Sequence, residues 1–452
     1  MSLLKKLAGE TAIYGLSSIV GRTLNFLLLP LYVYIFPPEE YGIVSNLYAY
    51  VAFALILLTY GMETAFFRFS KKTGDTKSVY DTTTSSIITT TLFFLLMVIL
   101  FLKPLTSFMG YVGKERFVLW LAIIVSIDVI TATPFTYLRQ QNKAIRFATL
   151  KIINIGINIG LNLLFFLVFR KINLSQPDTF LGKIYNPSIG VGYVFVSNLI
   201  ANIVMLLLLS PEFRILRFRI DFALLKKMLA YAFPMLIVGL TGQINQNIDK
   251  ILLKFLLPIE ENPMHQIGVY GANYKLAVLM TMFVQAFNYA FEPFFFSRDN
   301  DKKNNQTYAD IMKYFVIFGW MIFLVITLYI DFFKLLISPS YYEGLKVVPI
   351  VLIANLLLGI YYNQSVWYKV IDKTKYGAYQ SLIGAAVTLL INIVFIPKYG
   401  YMASAVACCL CFLTMVVISY IWGRKYNPIP YNLKEIVLYS ASALIIFVIS
   451  EL

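Results

Sequence analysis

The chain has 452 residues, 59% hydrophobic and only 13% charged, about half the charged share of a soluble domain, which excludes a soluble fold. One histidine and three cysteines leave no residue set for a structural zinc site or a haem attachment. The net charge of +15 reads as basic cytoplasmic loops of a membrane protein, with no nucleic-acid partner.

Along the chain the apolar residues form blocks of roughly 20, long enough to cross a hydrocarbon core of about 30 Å as helices. They are too long for the roughly 10-residue alternating strands of an outer-membrane barrel. Met1 to Glu10 carries Lys5 and Lys6 and no small-residue cleavage site, so the first span is expected to be an uncleaved anchor. Twelve spans are expected, at about 11–36, 41–67, 81–102, 116–138, 147–169, 187–210, 228–257, 267–296, 311–333, 345–369, 378–396 and 402–422. A thirteenth apolar stretch, 433–452, is barely a membrane thickness, which leaves a full span and a truncated helix both open.

With the N-terminus inside, the cytoplasmic segments hold 23 Lys and Arg and the opposite loops nine. That asymmetry predicts a cytoplasmic N-terminus. The turn after the first span, Pro37-Pro38-Glu39-Glu40, has no basic residue. The connection 211–227 alternates Arg214, Arg217 and Arg219 with apolar residues and reads as an amphipathic link on the inner leaflet.

The two halves correspond at a nearly constant offset. Tyr41-Gly42 matches Tyr270-Gly271 and Glu63 matches Glu292, both at 229; Asn142-Lys143 matches Asp372-Lys373 and Asn162 matches Asn392, both at 230. A shift of six spans preserves orientation, so this is a parallel repeat about the membrane normal. The expected fold is an all-α integral membrane protein of two pseudo-symmetric six-helix bundles around a central cavity. The expected boundaries are 1–210 for the first lobe, 211–227 for the linker, 228–422 for the second lobe and 423–452 for the C-terminal segment.

Five ionisable residues fall deep in the spans: Arg22, Asp128, Asp249, Lys250 and Lys275. Each costs about 2.5–3.5 kcal/mol at mid-membrane, so each must face water, another charge or a substrate. Polar stripes recur at helical spacing around them: Ser18, Arg22 and Asn25 in the first span; Lys151, Asn154, Asn158 and Asn162 in the fifth. The seventh holds Thr241, Gln243, Asn245, Gln246, Asn247, Asp249 and Lys250, and the eighth Thr281, Gln285, Asn288 and Glu292. These four faces are the expected cavity wall, with interhelical hydrogen bonding as the alternative for the amides. Asp249 and Lys275 lie at equal depth, so an Asp249–Lys275 pair and an Asp249–Lys250 pair are both open. Glu63 with Arg68, and Glu292 with Arg298, are candidates for an inner gate or for interfacial anchoring.

The opening Thr11-Ala12-Ile13-Tyr14-Gly15, Pro30-Leu31 followed by Glu40-Tyr41-Gly42, Asn247-Ile248-Asp249-Lys250 and Gly268-Val269-Tyr270 resemble the Wzx-like polysaccharide flippases. These belong to the multidrug/oligosaccharidyl-lipid/polysaccharide exporter superfamily. The resemblance implies two bundles in a V shape working by alternating access in a bacterial cytoplasmic membrane. It implies a polyprenyl-diphosphate-linked oligosaccharide as substrate, membrane lipid around it, association with glycan polymerase machinery, a monomeric state and no cofactor. Arg22 stands where drug exporters of the superfamily tend to carry an acid. Arg22 and Lys275 match two basic cavity positions of lipid II flippases, while residues 51–58 are apolar where a third is expected. Arg22, Lys250 and Lys275 are therefore the expected diphosphate ligands, with Asn25, Asn158 and Asn245 facing the glycan. Asp249, and after it Asp128, is the candidate for coupling to H+ or Na+. The alternatives are a cation-coupled multidrug exporter and a membrane-embedded glycan polymerase or ligase. The short loops and the lack of a clustered His/Asp/Glu set weigh against the enzyme.

Overall fold

The structure, a computed structural model, describes residues 20–451 except Arg22, Asn25, 297–301 and Asp372, with the backbone alone for 289–296 and 302–304. Every regular element among the described residues is helical. The main helices are α1 (Leu28–Ile35), α2 (Pro38–Thr59), α3 (Met62–Thr73), α4 (Thr76–Leu100), α5 (Glu115–Gln140), α6 (Ala144–Leu163) and α7 (Tyr193–Leu208). They continue with α8 (Phe222–Leu256), α9 (Pro263–Leu276), α10 (Val278–Phe296), α11 (Lys302–Leu328), α12 (Val348–Gln364), α13 (Lys375–Tyr399), α14 (Tyr401–Tyr426) and α15 (Leu433–Glu451).

Among the described residues eleven helices are long and apolar enough to cross a membrane, and α9 with α10, bent by 48° at their junction, makes a twelfth. Residues 11–19, Arg22 and Asn25 of the first expected span lie outside the described residues. The C-terminal stretch forms a single 19-residue helix, Leu433–Glu451, that is long and apolar enough to cross a membrane.

Local chemistry sets the helix ends. Asp75 caps α4 by accepting the Ser78 N–H at 3.0 Å, and Asn262 caps α9, which has Pro263 in its first turn. Between α2 and α3 the chain turns through Tyr60 (φ 34°) and Gly61 (φ 74°). A Cβ at Gly61 would also lie 2.8 Å from the Ala232 carbonyl of α8, so this break requires glycine twice over.

The described chain divides into two compact units. The first comprises residues up to Leu31 and Leu47–Leu240; the second comprises Tyr32–Asn46 and everything from Thr241. The core of unit 1 is built from Phe66, Phe69, Tyr80, Val125, Val129 and Met228 of α3, α4, α5 and α8. The first turns of α4 are enclosed, with six successive polar residues, Asp81 to Ser86, all buried. Two of them hold the extended link that precedes α8: Asp81 accepts the Arg217 N–H at 2.9 Å and Thr82 the Asp221 N–H at 3.3 Å. Arg146 of α6 adds an ion pair to the buried Glu212 at 2.9 Å. The 211–227 connection is thus a short helix, Ser210–Arg214, a strap over 215–221 pinned by side chains, and the first residues of α8, which begins at Phe222, six residues before the expected start of the second lobe.

Unit 2 has a core of Ala354, Tyr361, Phe412 and Met415 with the free thiols Cys408 and Cys411 packed into it. Within this unit the opening turns of α2 and α9 cross at backbone contact. A Cβ at Gly42 would overlap the Met264 carbonyl, and one at Gly268 would overlap the Pro38 carbonyl. The two contacts are exchanged by a pseudo-two-fold that pairs Gly42 with Gly268. The local offset is therefore 226, three residues from the 229 read from Tyr41-Gly42 and Tyr270-Gly271. Three residues are about one helical turn, so both registers put small residues on the same face. The match of Asn162 with Asn392 reappears in detail: both are fully buried, and each donates at 2.8 Å to the carbonyl four residues back.

Alanine at Gly42 or Gly268 is expected to destabilise by about 1–3 kcal/mol through overpacking against backbone. Gly156→Ala, where an added Cβ meets nothing within 4 Å, is expected to be neutral or slightly stabilising. Thermal unfolding of the three variants in detergent checks the contrast.

Candidate functional site

In unit 2 the polar run of α8 divides by helical spacing into two faces. Thr241, Asn245 and Asp249, four residues apart, are all buried, whereas Gln243, Gln246, Asn247 and Lys250 are more accessible. The buried face is consumed by packing. Thr241 shares a 2.7 Å hydrogen bond with Ser381 of α13, and Asn245 Nδ2 lies 3.5 Å from the Ser381 carbonyl and 3.8 Å from Met415 Sδ.

Asp249 lies at the centre of this seam. Its Oδ2 accepts the Tyr270 hydroxyl of α9 at 2.8 Å, and its Oδ1 accepts the Lys250 N–H at 2.8 Å. Lys250 Nζ is 3.5 Å from the same Oδ1 and 3.4 Å from Asn247 Oδ1, with the Tyr274 ring centroid at 5.1 Å. Asn46 of α2 donates to the Lys250 carbonyl at 2.6 Å. Of the two pairings left open, the structure therefore forms Asp249–Lys250. Lys275 lies instead over the Tyr41 ring at 5.4 Å, and no carboxylate among the described residues forms an ion pair with it. A lysine stem on an aromatic face, with no ion pair among the described residues, suits an anionic guest. Tyr270, a repeat marker in the sequence, is the residue that holds Asp249; a 21-residue separation on a different helix carries no sequence signature of that contact.

Unit 1 carries a second seam. Asp128 of α5 accepts from Asn202 of α7 at 2.9 Å, and Asn202 accepts from Asn154 of α6 at 3.1 Å. Asn198 donates to the Tyr48 hydroxyl at 2.8 Å. Lys151 lies 4.2 Å from the Phe135 ring and within the electrostatic reach of Asp128 and Glu63. Asn158 is engaged inside α6, its Oδ1 accepting from Asn162 at 3.0 Å. Glu63 and Arg68 have separate partners: Glu63 interacts with Arg139, Lys151 and Thr136, and Arg68 covers the Tyr231 ring at 4.2 Å. Five residues along a helix are about 140° apart, so the two side chains leave α3 on different faces. Arg22, Asn25, Arg298 and the Glu292 side chain lie outside the described residues.

The family described as polysaccharide biosynthesis protein matches residues 7–298. The chain belongs to that family. No curated protein matches it significantly by sequence. Among solved structures it is similar to the lipid II flippase MurJ in an inward closed conformation, with a TM-score of 0.74 at 16% identity over 97% of this chain and 91% of that one. It is also similar to an inward-facing multidrug resistance MATE family transporter of the MOP superfamily, with a TM-score of 0.68 at 14% identity over 89% and 94%. A MATE family transporter in the outward-facing conformation gives 0.62 at 13% identity over 92% and 95%. The family member is thus an all-helical, multi-pass membrane protein with the fold of these MOP-superfamily proteins.

Tyr270→Phe removes the hydroxyl that satisfies a buried carboxylate and is expected to cost about 1–3 kcal/mol. Combined with Asp249→Asn, the two losses are expected to be non-additive by at least about 0.5 kcal/mol. A double-mutant cycle on unfolding in detergent measures that coupling, and strict additivity would break the assignment.

Proposed function

We propose that the protein is a flippase, not an enzyme, which moves a polyprenyl-diphosphate-linked oligosaccharide from the inner to the outer leaflet of a bacterial cytoplasmic membrane. It works by alternating access, with its N-terminus in the cytoplasm, and supplies surface polysaccharide assembly. The observation that carries this reading is Lys275, partly buried on the Tyr41 ring without an ion-pair partner among the described residues. A diphosphate is the natural complement of such a group, since charge-assisted hydrogen bonds to phosphate oxygens are the strong ones. Membership of a polysaccharide biosynthesis family supports a glycan-bearing substrate, and the fold is shared with a lipid II flippase as well as with MATE transporters.

The chemistry follows from the seam. Lys275 attracts the diphosphate and Lys250 joins it, while Gln243, Gln246 and Asn247 on the accessible face of α8 offer donors and acceptors to sugar hydroxyls. Arg22, outside the described residues, is kept as a further diphosphate ligand on the strength of the sequence alone. Asp249 holds Lys250 in the resting arrangement. A proton or Na+ at Asp249 weakens that tie and frees the ammonium for phosphate. Linkage requires the converse, so bound phosphate raises the affinity of Asp249 for its cation.

The test is flipping in proteoliposomes, followed as the leaflet accessibility of a labelled polyprenyl-diphosphate oligosaccharide. Lys275→Glu and Arg22→Glu are expected to lower the rate at least tenfold, about 1.4 kcal/mol, with membrane insertion unchanged. Lys275→Arg is expected to keep most of the activity. Normal flipping by both charge reversals overturns the site. Absence of movement with several glycans, together with uptake of cationic dyes that requires Asp249, makes the protein a drug exporter instead.

A further inference from the structure

His265, the single histidine of the chain, lies in the first turn of α9 where α9 crosses α2. Both ring nitrogens meet carboxylates. Nδ1 is 2.7 Å from Glu39 Oε1 of α2, and Nε2 is 3.0 Å from Glu343 Oε1 in the segment Pro339–Val347. A neutral imidazole has one N–H and one lone pair, so it can bond only one of the two carboxylates and repels the other; the imidazolium donates to both. Only the protonated ring satisfies both carboxylates at once.

The elements that His265 joins are also the ones that close the crossing. Gly42 and Gly268 touch the opposite backbone beneath it. The Tyr341 hydroxyl donates to the Phe36 carbonyl at 2.8 Å, and Asn273 donates to the Tyr341 carbonyl at 2.9 Å. Asn262 caps α9 through the His265 N–H and also donates to Glu39 at 3.3 Å. Of the other charged groups around the crossing, Glu261 accepts from Gln266 at 3.1 Å and Lys346 lies over the Tyr401 ring at 5.4 Å, while Glu40, beside Glu39, and Glu260 add negative charge that favours the imidazolium. Tyr401 of α14 in turn donates to the Glu343 carbonyl at 3.1 Å.

We propose that His265 is a proton-operated latch on the crossing of α2 and α9. The protonated ring clamps Glu39 and Glu343 to α9, and its deprotonation releases one of the two arms and loosens the crossing. Histidine alone among ordinary side chains changes charge between pH 5 and 8, while carboxylates stay ionised throughout that range. The latch therefore holds on the acid side and slackens on the alkaline side. It goes beyond the proposed function, because nothing in it depends on what the protein carries.

Amide exchange of the full-length protein in nanodiscs tests this, with exchange times scaled to equal intrinsic rates at pH 5.5 and pH 8. In the wild type, amides of 264–272 and 339–347 are expected to lose about tenfold protection at pH 8, as befits a lost charged hydrogen bond, while α15 does not change. His265→Gln, neutral at both values, is expected to show no pH response. If that variant misfolds, Glu343→Gln bonds the ring in either protonation state through its amide, and the response at 339–347 is expected to vanish. Equal wild-type protection at the two pH values overturns the latch. So does an undiminished response in His265→Gln, or in Glu343→Gln at 339–347.

Discussion

A charge placed among apolar helices must be met by something, and the unit-2 seam is arranged around that requirement. Asp249 is buried, so it must collect donors, and it collects three: the Tyr270 hydroxyl, the Lys250 N–H and, at longer range, the Lys250 ammonium. In doing so it joins α8 to α9 and fixes the position of Lys250. Lys275 meets the same requirement differently, with a ring face beneath it. Among the described residues no ion pair takes up its charge. The proposed transport chemistry rests on this difference between a charge that is consumed and one that is offered.

Small residues meet a second requirement, close helix approach. Hydrophobic burial does not drive helices together in lipid, so contact depends on small residues, dispersion and hydrogen bonds. Gly42 and Gly268 let two helices of the repeat meet backbone to backbone, and the polar bonds of Tyr341, Asn273 and His265 surround that contact. In unit 1 the corresponding work falls to the buried run from Asp81 to Ser86, which packs closely and satisfies a strap of extended chain.

How much of this was legible in the sequence depends on which coordinate is asked for. Hydropathy locates spans along the axis, and the described helices overlie the expected spans, though α8 begins at Phe222 and α11 at Lys302, six and nine residues early. Depth is also an axial coordinate, so Asp249 and Lys275 could be placed at one level. Depth says nothing of azimuth, however, and azimuth decided that Asp249 bonds Lys250 and Tyr270. The spacing of Thr241, Asn245 and Asp249 did contain that information, since a four-residue period marks one face; the density of polar residues on α8 obscured it. The same rotation argument separates Glu63 from Arg68. His265 was read only for the metal sites that one histidine cannot build, because its partners Glu39 and Glu343 are remote in sequence.

The central claim is that the seam selects a lipid by its diphosphate. The most direct measurement is equilibrium binding of three lipids to the purified protein: a polyprenyl diphosphate, the matching monophosphate and the neutral prenol, compared in low and high salt. Preference for the diphosphate over the prenol by tenfold or more, diminished in Lys275→Gln, is the predicted result. Equal affinity for all three, unchanged in Lys275→Gln, would contradict it.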